Sequence, residues 1–164
     1  MSVFSNLRGW QNLIGYVPQK IFILDDTLKN NILFGLSEKN YSDKTIYELI
    51  KKINLEILLK RLPDGLNGKL GEKGLNLSGG EIQRIGICRA LIYDPKILFL
   101  DEATSSLDIP TETQILNELN YFKEKTIVSI AHRINTLRNF DKIYFIDNGK
   151  IVDEGNFSKF NLKN

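Results

Sequence analysis

The chain has 164 residues, 42% of them apolar, which is enough for one domain with a real core and argues against disorder. Twenty-two lysines and arginines face twenty aspartates and glutamates, a formal charge of +2 with the basic residues scattered, so neither nucleic-acid nor membrane binding follows from charge. A single cysteine excludes a disulfide scaffold, which suits the cytoplasm, and apolar runs such as Ile97–Leu100 fall far short of the about 20 residues that cross a bilayer.

Met1 to Trp10 has no apolar core followed by a small-residue cleavage site, so it does not read as a signal peptide. Leu13, Ile14, Tyr16 and Val17 predict a strand closed by Pro18, which leaves Gln19 just past its end. Thr27 to Phe34 is a short helical candidate. A firmer helix follows Ser42, with Ile46, Leu49, Ile50 and Ile53 at the spacing of one buried face. Leu55 to Leu62 continues the helical pattern until Pro63-Asp64-Gly65 breaks it, and together these segments form a small helical insert over about 35–95. Ser78-Gly79-Gly80-Glu81 has the form of a capping box, and its helix runs through Ile82, Ile85, Ala90 and Leu91 to Asp94-Pro95. Cys88 falls inside that apolar pattern and reads as a buried thiol.

The period then changes. Ile97-Leu98-Phe99-Leu100 is a continuous apolar run, the mark of a strand buried on both faces of a parallel sheet, and it ends in Asp101-Glu102. Thr111 to Leu119 predicts the next helix and Thr126 to Ile130 the next buried strand, ending at Ala131-His132. Lys142 to Ile146 and Lys150 to Glu154 flank Asp147-Asn148-Gly149, a tight-hairpin signal. Alternating strands and helices predict an α/β fold with a mainly parallel sheet and a C-terminal β-hairpin.

In such sheets the ligand site lies outside the carboxyl ends of the strands, where Gln19, Asp101, Glu102 and His132 are all expected. Four polar groups on one rim are suited to hold a metal, a phosphate and a water. Each alone has a plainer reading: a carboxylate pair after a strand commonly caps a helix, and a lone histidine there is commonly structural.

Read in order, the motifs resemble the ATP-binding-cassette (ABC) ATPase family. Gln19 matches the Q-loop, Leu77-Ser78-Gly79-Gly80-Glu81 the signature, Ile97 to Glu102 the Walker B strand with its catalytic glutamate, Ser106-Leu107-Asp108 the D-loop, and His132 the switch histidine. The match runs from about Asn6 to about Gly155. It implies a P-loop NTPase-like cassette over 1–155, with a tail at 156–164, and ATP and Mg²⁺ as cofactors. By resemblance, Asp101 and Gln19 serve the metal, Glu102 is the general base, and His132 and Gln19 assist it. Ser78, Gly79, Gly80 and Glu81 touch the γ-phosphate of ATP held by an opposite subunit, and Asp108 lies at the dimer seam. Glu81 stands where glutamine is usual, adding a negative charge near an anion. The implied partners are a second ABC ATPase domain, as homo- or heterodimer, and transmembrane domains, with no nucleic acid, which places the chain on the cytoplasmic face of a membrane.

Leu70-Gly71-Glu72-Lys73-Gly74 resembles the loop with which exporter-type cassettes contact transmembrane coupling helices, although a plain Gly-rich turn has the same composition. Trp10-Gln11 ahead of Ile14 to Gln19 points to the same subclass. Alternatives are a soluble ABC-type ATPase of DNA repair or translation, and a non-catalytic remnant. No long coiled coil or basic stripe favours the former.

A cassette grips ATP with a G-x-x-x-x-G-K-[ST] loop, and no stretch of the chain has that form. Gly68-Lys69 fails at Pro63 and Leu70, Gly149-Lys150 at Tyr144 and Ile151. The resemblance therefore implies an N-terminally truncated cassette that cannot bind or hydrolyse ATP alone, and the loss of a central strand and helix is expected to bare apolar sheet surface.

Overall fold

The computed structural model describes residues 7–71 and 74–161. They divide into two compact units, 1–130 and 131–164. The first holds α1 (Leu7–Gln11), β1 (Ile14–Val17), α2 (Leu28–Leu33), α3 (Asp43–Lys52), α4 (Glu56–Arg61), α5 (Gly79–Leu91), β2 (Ile97–Asp101), α6 (Ile109–Glu118) and β3 (Thr126–Ile130). The second holds β4 (Ile143–Asp147), β5 (Lys150–Gly155) and α7 (Phe157–Asn161).

Local chemistry sets the helix starts. The side chains of Thr27, Ser42, Ser78 and Asp108 each accept from a backbone N–H in the first turn of α2, α3, α5 and α6. In α3 the predicted face is the buried one, with Ile46, Leu49 and Ile50 inside, and Ile53 is buried just past the helix end. The helix after β2 starts at Ile109, two residues earlier than the pattern predicted, because Asp108 caps it and Pro110 stands in its first turn, where proline's missing N–H costs nothing.

The sheet of the first unit is parallel, in the order β1-β2-β3, with Ile14 opposite Ile97 and Ile97 opposite Thr126. α5 packs against β1, and also against α2, α3 and α6. The approach to β1 is close: a Cβ on Gly15 would lie 2.5 Å from the Ala90 carbonyl oxygen, so glycine is required there. That face of the sheet, with Val17, Leu98 and Leu100, is buried. The opposite face is not, which corrects the reading of the strands as buried on both sides and agrees with the expectation of bared apolar sheet surface. Tyr16, Val128 and Ile130 are 55%, 39% and 54% exposed, and Phe99 is only half-buried. Residues that alternate along a strand point to opposite faces, so covering one face with α5 leaves this second set in solvent.

In the second unit β4 and β5 pair antiparallel through Asn148 and Gly149, whose φ values of +48° and +73° are the left-handed pair of a type I′ turn. Phe145 and Phe160 pack with ring centroids 5.1 Å apart.

Candidate functional site

Because β1, β2 and β3 run parallel, their carboxyl ends at Val17, Asp101 and Ile130 share one rim. Two cross-strand contacts organise it. Gln19 Nε2 donates to Glu102 Oε2 at 2.8 Å, and the Tyr16 hydroxyl donates to Asp101 Oδ2 at 2.6 Å. The hydrogen bond to Asp101 holds the Tyr16 phenol above its ordinary pKa. Glu102 has φ +48°, a left-handed conformation unfavourable for a residue with a side chain, and it turns the backbone sharply off β2. The following loop is pinned from within, Thr104 Oγ1 donating to buried Glu112 at 2.8 Å.

A second polar cluster forms at the start of α5. The predicted capping box is complete: Ser78 N donates to Glu81 Oε2 at 2.7 Å and Glu81 N to Ser78 Oγ at 3.3 Å. Glu81 also receives Arg61 Nη1 at 2.5 Å, while Arg61 Nη2 reaches the Asn76 carbonyl at 3.1 Å. The extra negative charge at position 81 is thus met by a cation from α4. The start of α6 lies alongside. A Cβ on Gly79 would sit 3.1 Å from Leu107 Cδ2, and one on Gly80 would sit 2.9 Å from Thr111 Cγ2. Small residues at 79 and 80 let the two helix starts, capped by Ser78 and Asp108, lie side by side.

Arg89, near the end of α5, ties this helix to the segment after β1. It donates to the carbonyls of Phe22 at 2.6 Å and Asn31 at 2.5 Å, to Asn31 Oδ1 at 2.9 Å, and lies over the Phe34 ring at 4.6 Å. Burial lowers its pKa to about 10. On the other side Arg84 and Glu118 form a buried bidentate pair joining α5 to α6. Cys88 is fully buried, its thiol pushed up to about 12 chiefly by desolvation, which fits a packing residue and no chemistry.

Of the residues singled out in the sequence, Gln19, Asp101 and Glu102 are gathered on the rim of the first unit. Ser78, Gly79, Gly80, Glu81 and Asp108 gather at the paired helix starts. His132 is the second residue beyond β3, exposed, and opens the second unit. In the Leu70–Gly74 loop, Glu72 and Lys73 lie outside the described residues. Sequence reasoning missed Tyr16, Arg61 and Arg89. Only Tyr16 had a signal: it lies on the strand leading to Gln19, on the face it shares with Asp101 once β1 and β2 are paired.

The sequence profile of the ABC transporter family matches residues 3–105. The chain belongs to the ABC transporter family. An export ATP-binding/permease protein of Rickettsia typhi is 48% identical over 146 residues, covering 88% of this chain and 25% of that protein. A multidrug resistance ABC transporter ATP-binding and permease protein of Lactococcus lactis is 39% identical over 151 residues, covering 92% of this chain and 25% of that protein. Among solved structures, a bacterial Atm1-family ABC exporter with ATP bound superimposes with TM-score 0.79 at 35% identity, over 93% of this chain and 27% of the exporter. The ABC transporter chain thus spans about a quarter of the length of the curated relatives it matches and is a partial cassette of the exporter type, with the P-loop NTPase-like α/β fold. No described helix is long and apolar enough to cross a membrane.

Proposed function

We propose that this chain is the portion of an exporter ATPase that activates water for ATP hydrolysis and completes the site of a partner cassette. The observation carrying this reading is the contact of Gln19 with Glu102, beside Asp101, on the strand-end rim.

The donor set fits Mg²⁺. Gln19, Asp101 and Glu102 offer hard oxygens. Among the described residues no three His, Cys, Asp or Glu side chains form a metal cage, and Mg²⁺ needs none, since it takes one or two carboxylates and otherwise waters and phosphates. Asp101 and the Gln19 carbonyl oxygen would hold the ion. Bound Mg²⁺–ATP supplies the scissile phosphoryl group and neutralises its charge.

Glu102 accepts a proton from the attacking water as general base, a role worth about 10²–10⁴-fold. The Gln19 amide fixes the Glu102 carboxylate for that task, so that the base responds to whatever moves the loop after β1. His132, by resemblance the switch histidine, would donate to the γ-phosphate. The start of α5 at Ser78, Gly79, Gly80 and Glu81 would meet the phosphates of ATP held by a second cassette, the Ser78 N–H being taken by Glu81, with Asp108 at the seam. Transmembrane domains, carrying an unassigned cargo, place the assembly on the cytoplasmic face of the membrane. Since no stretch of the 164 residues has the phosphate-gripping form, the chain alone neither binds nor hydrolyses ATP.

A chimera tests this. The matching segment of the Rickettsia typhi protein is replaced by this chain, and Mg²⁺-dependent ATP hydrolysis is followed. Turnover is expected, with Glu102→Gln lowering kcat by about 10²–10⁴-fold. Full turnover in the Glu102→Gln chimera, or ATP hydrolysis by the 164-residue chain alone, refutes the proposal.

A further inference from the structure

Gly79, Gln83, Gly86 and Ala90 recur at i, i+4, i+7 and i+11 and so form one stripe along α5. Three of the four have fixed neighbours. A Cβ on Gly79 would meet Leu107 of the loop after β2, one on Gly86 would meet Ile21 of the segment after β1, and the Ala90 carbonyl abuts Gly15 of β1. Gln83 therefore lies between the two loops that carry Glu102 with Asp108 and Gln19. It is the one long polar side chain in a stripe otherwise kept small.

Gln83 is only 4% exposed, and its amide nitrogen is buried without a hydrogen-bond partner. A buried amide donor left unpaired lowers stability, and an apolar side chain of the same size would not. The group is thus a cost to this arrangement and belongs to another. On one side the stripe meets aliphatic carbons of Ile21, which accept nothing. On the other the loop after β2 turns through successive backbone carbonyls, of which those of Glu102, Thr104 and Asp108 already accept from Ser105 N, Leu107 N and Glu112 N.

We propose that Gln83 is a positioning residue whose amide pairs with a carbonyl of the 103–108 loop when that loop, already packed on α5 through Leu107, shifts along the helix during nucleotide turnover. The pairing sets Glu102 and Asp108, at the two ends of the loop, relative to the start of α5. This inference rests on the hydrolytic reading of the site.

Two measurements test it. In the 164-residue chain without nucleotide, Gln83→Met removes the unpaired donor at nearly constant volume, and the thermal midpoint is expected to rise by about 2–8 °C. In the chimera, the same change is expected to lower kcat about tenfold with KM for ATP unchanged, the signature of a contact absent before the transition state. Gln83→Leu is the second variant and moves both quantities the same way. An unchanged or lowered midpoint shows that the amide is already satisfied and overturns the proposal, as does an unchanged kcat or failure of both variants to fold. The two readings fail separately: a chimera indifferent to Glu102→Gln defeats the hydrolytic reading, while the midpoint still judges the unpaired amide.

Discussion

Replacing Glu118 by alanine is expected to be strongly destabilising, because it breaks a closed ion pair in the interior of the first unit. Its side chain is 3% exposed and its partner's, Arg84, 9%. Arg84 donates from Nε at 3.0 Å and from Nη2 at 2.7 Å, one bond to each carboxylate oxygen, and Asn54 Nδ2 adds a third at 3.1 Å. Removing the carboxylate strands a buried guanidinium, which costs about 3–5 kcal/mol, and also deprives Asn54 of its acceptor. With a urea slope of about 2 kcal/mol/M, the midpoint of unfolding falls by roughly 1.5–2.5 M. Equilibrium urea unfolding followed by circular dichroism measures this directly. The double variant Arg84→Met with Glu118→Leu removes both charges and is expected to recover most of the loss, because no unpaired ion is left. A fall of less than about 0.5 M for Glu118→Ala would mean that Arg84 finds solvent or another acceptor, and the account of a buried, closed pair would be wrong.

Two further expectations concern titration and reactivity. Lys125, itself buried, donates to Asp94 and holds its carboxyl below the usual carboxylate range, so the stabilisation is present above the unfolded-state pKa and fades as pH falls through the lowered folded value. The stability difference between the parent and Asp94→Asn should accordingly be largest near neutrality and shrink in acid; a difference constant from pH 7 to pH 2 contradicts it. Cys88, buried and with its thiol near 12, should resist alkylation by iodoacetamide at pH 8 in the folded chain and react promptly in urea, as read by mass spectrometry.

Much of this was legible in the sequence, and particular residues show why. Ser78 with Glu81, Ser42, and Asn148-Gly149 act through their immediate neighbours, so a few residues of sequence hold the whole cause. Pro110 carried a readable signal for an earlier start of α6, since proline favours the first helical turn. What local pattern does not hold is pairing. An apolar run such as Ile97-Leu98-Phe99-Leu100 looks the same whether one face or both are covered, and only the placement of α5 against Gly15 decides it. Tyr16 reaches Asp101 because β1 and β2 are neighbours in a particular register, 85 residues apart in sequence. Arg61 and Glu81 meet across 20 residues, and the orphaned amide of Gln83 is defined by what does not surround it. The apolar runs closed by Pro18 and by Asp101-Glu102 placed Gln19, Asp101 and Glu102 at strand ends, and what the structure adds is the bond between Gln19 and Glu102.

The hold of Arg61 on Glu81 changes what an approaching polyphosphate would experience at the turn before α5. An uncompensated carboxylate there would repel an anion and offset the attraction of the helix's first amides. Neutralised by a guanidinium from α4, it leaves the dipole of the turn as the field that a polyanion feels. A neutral side chain at the same position would release Arg61 as an unbalanced cation. Glutamate at 81 therefore moderates the local potential without reversing it, and it makes the electrostatics of this turn depend on where α4 sits.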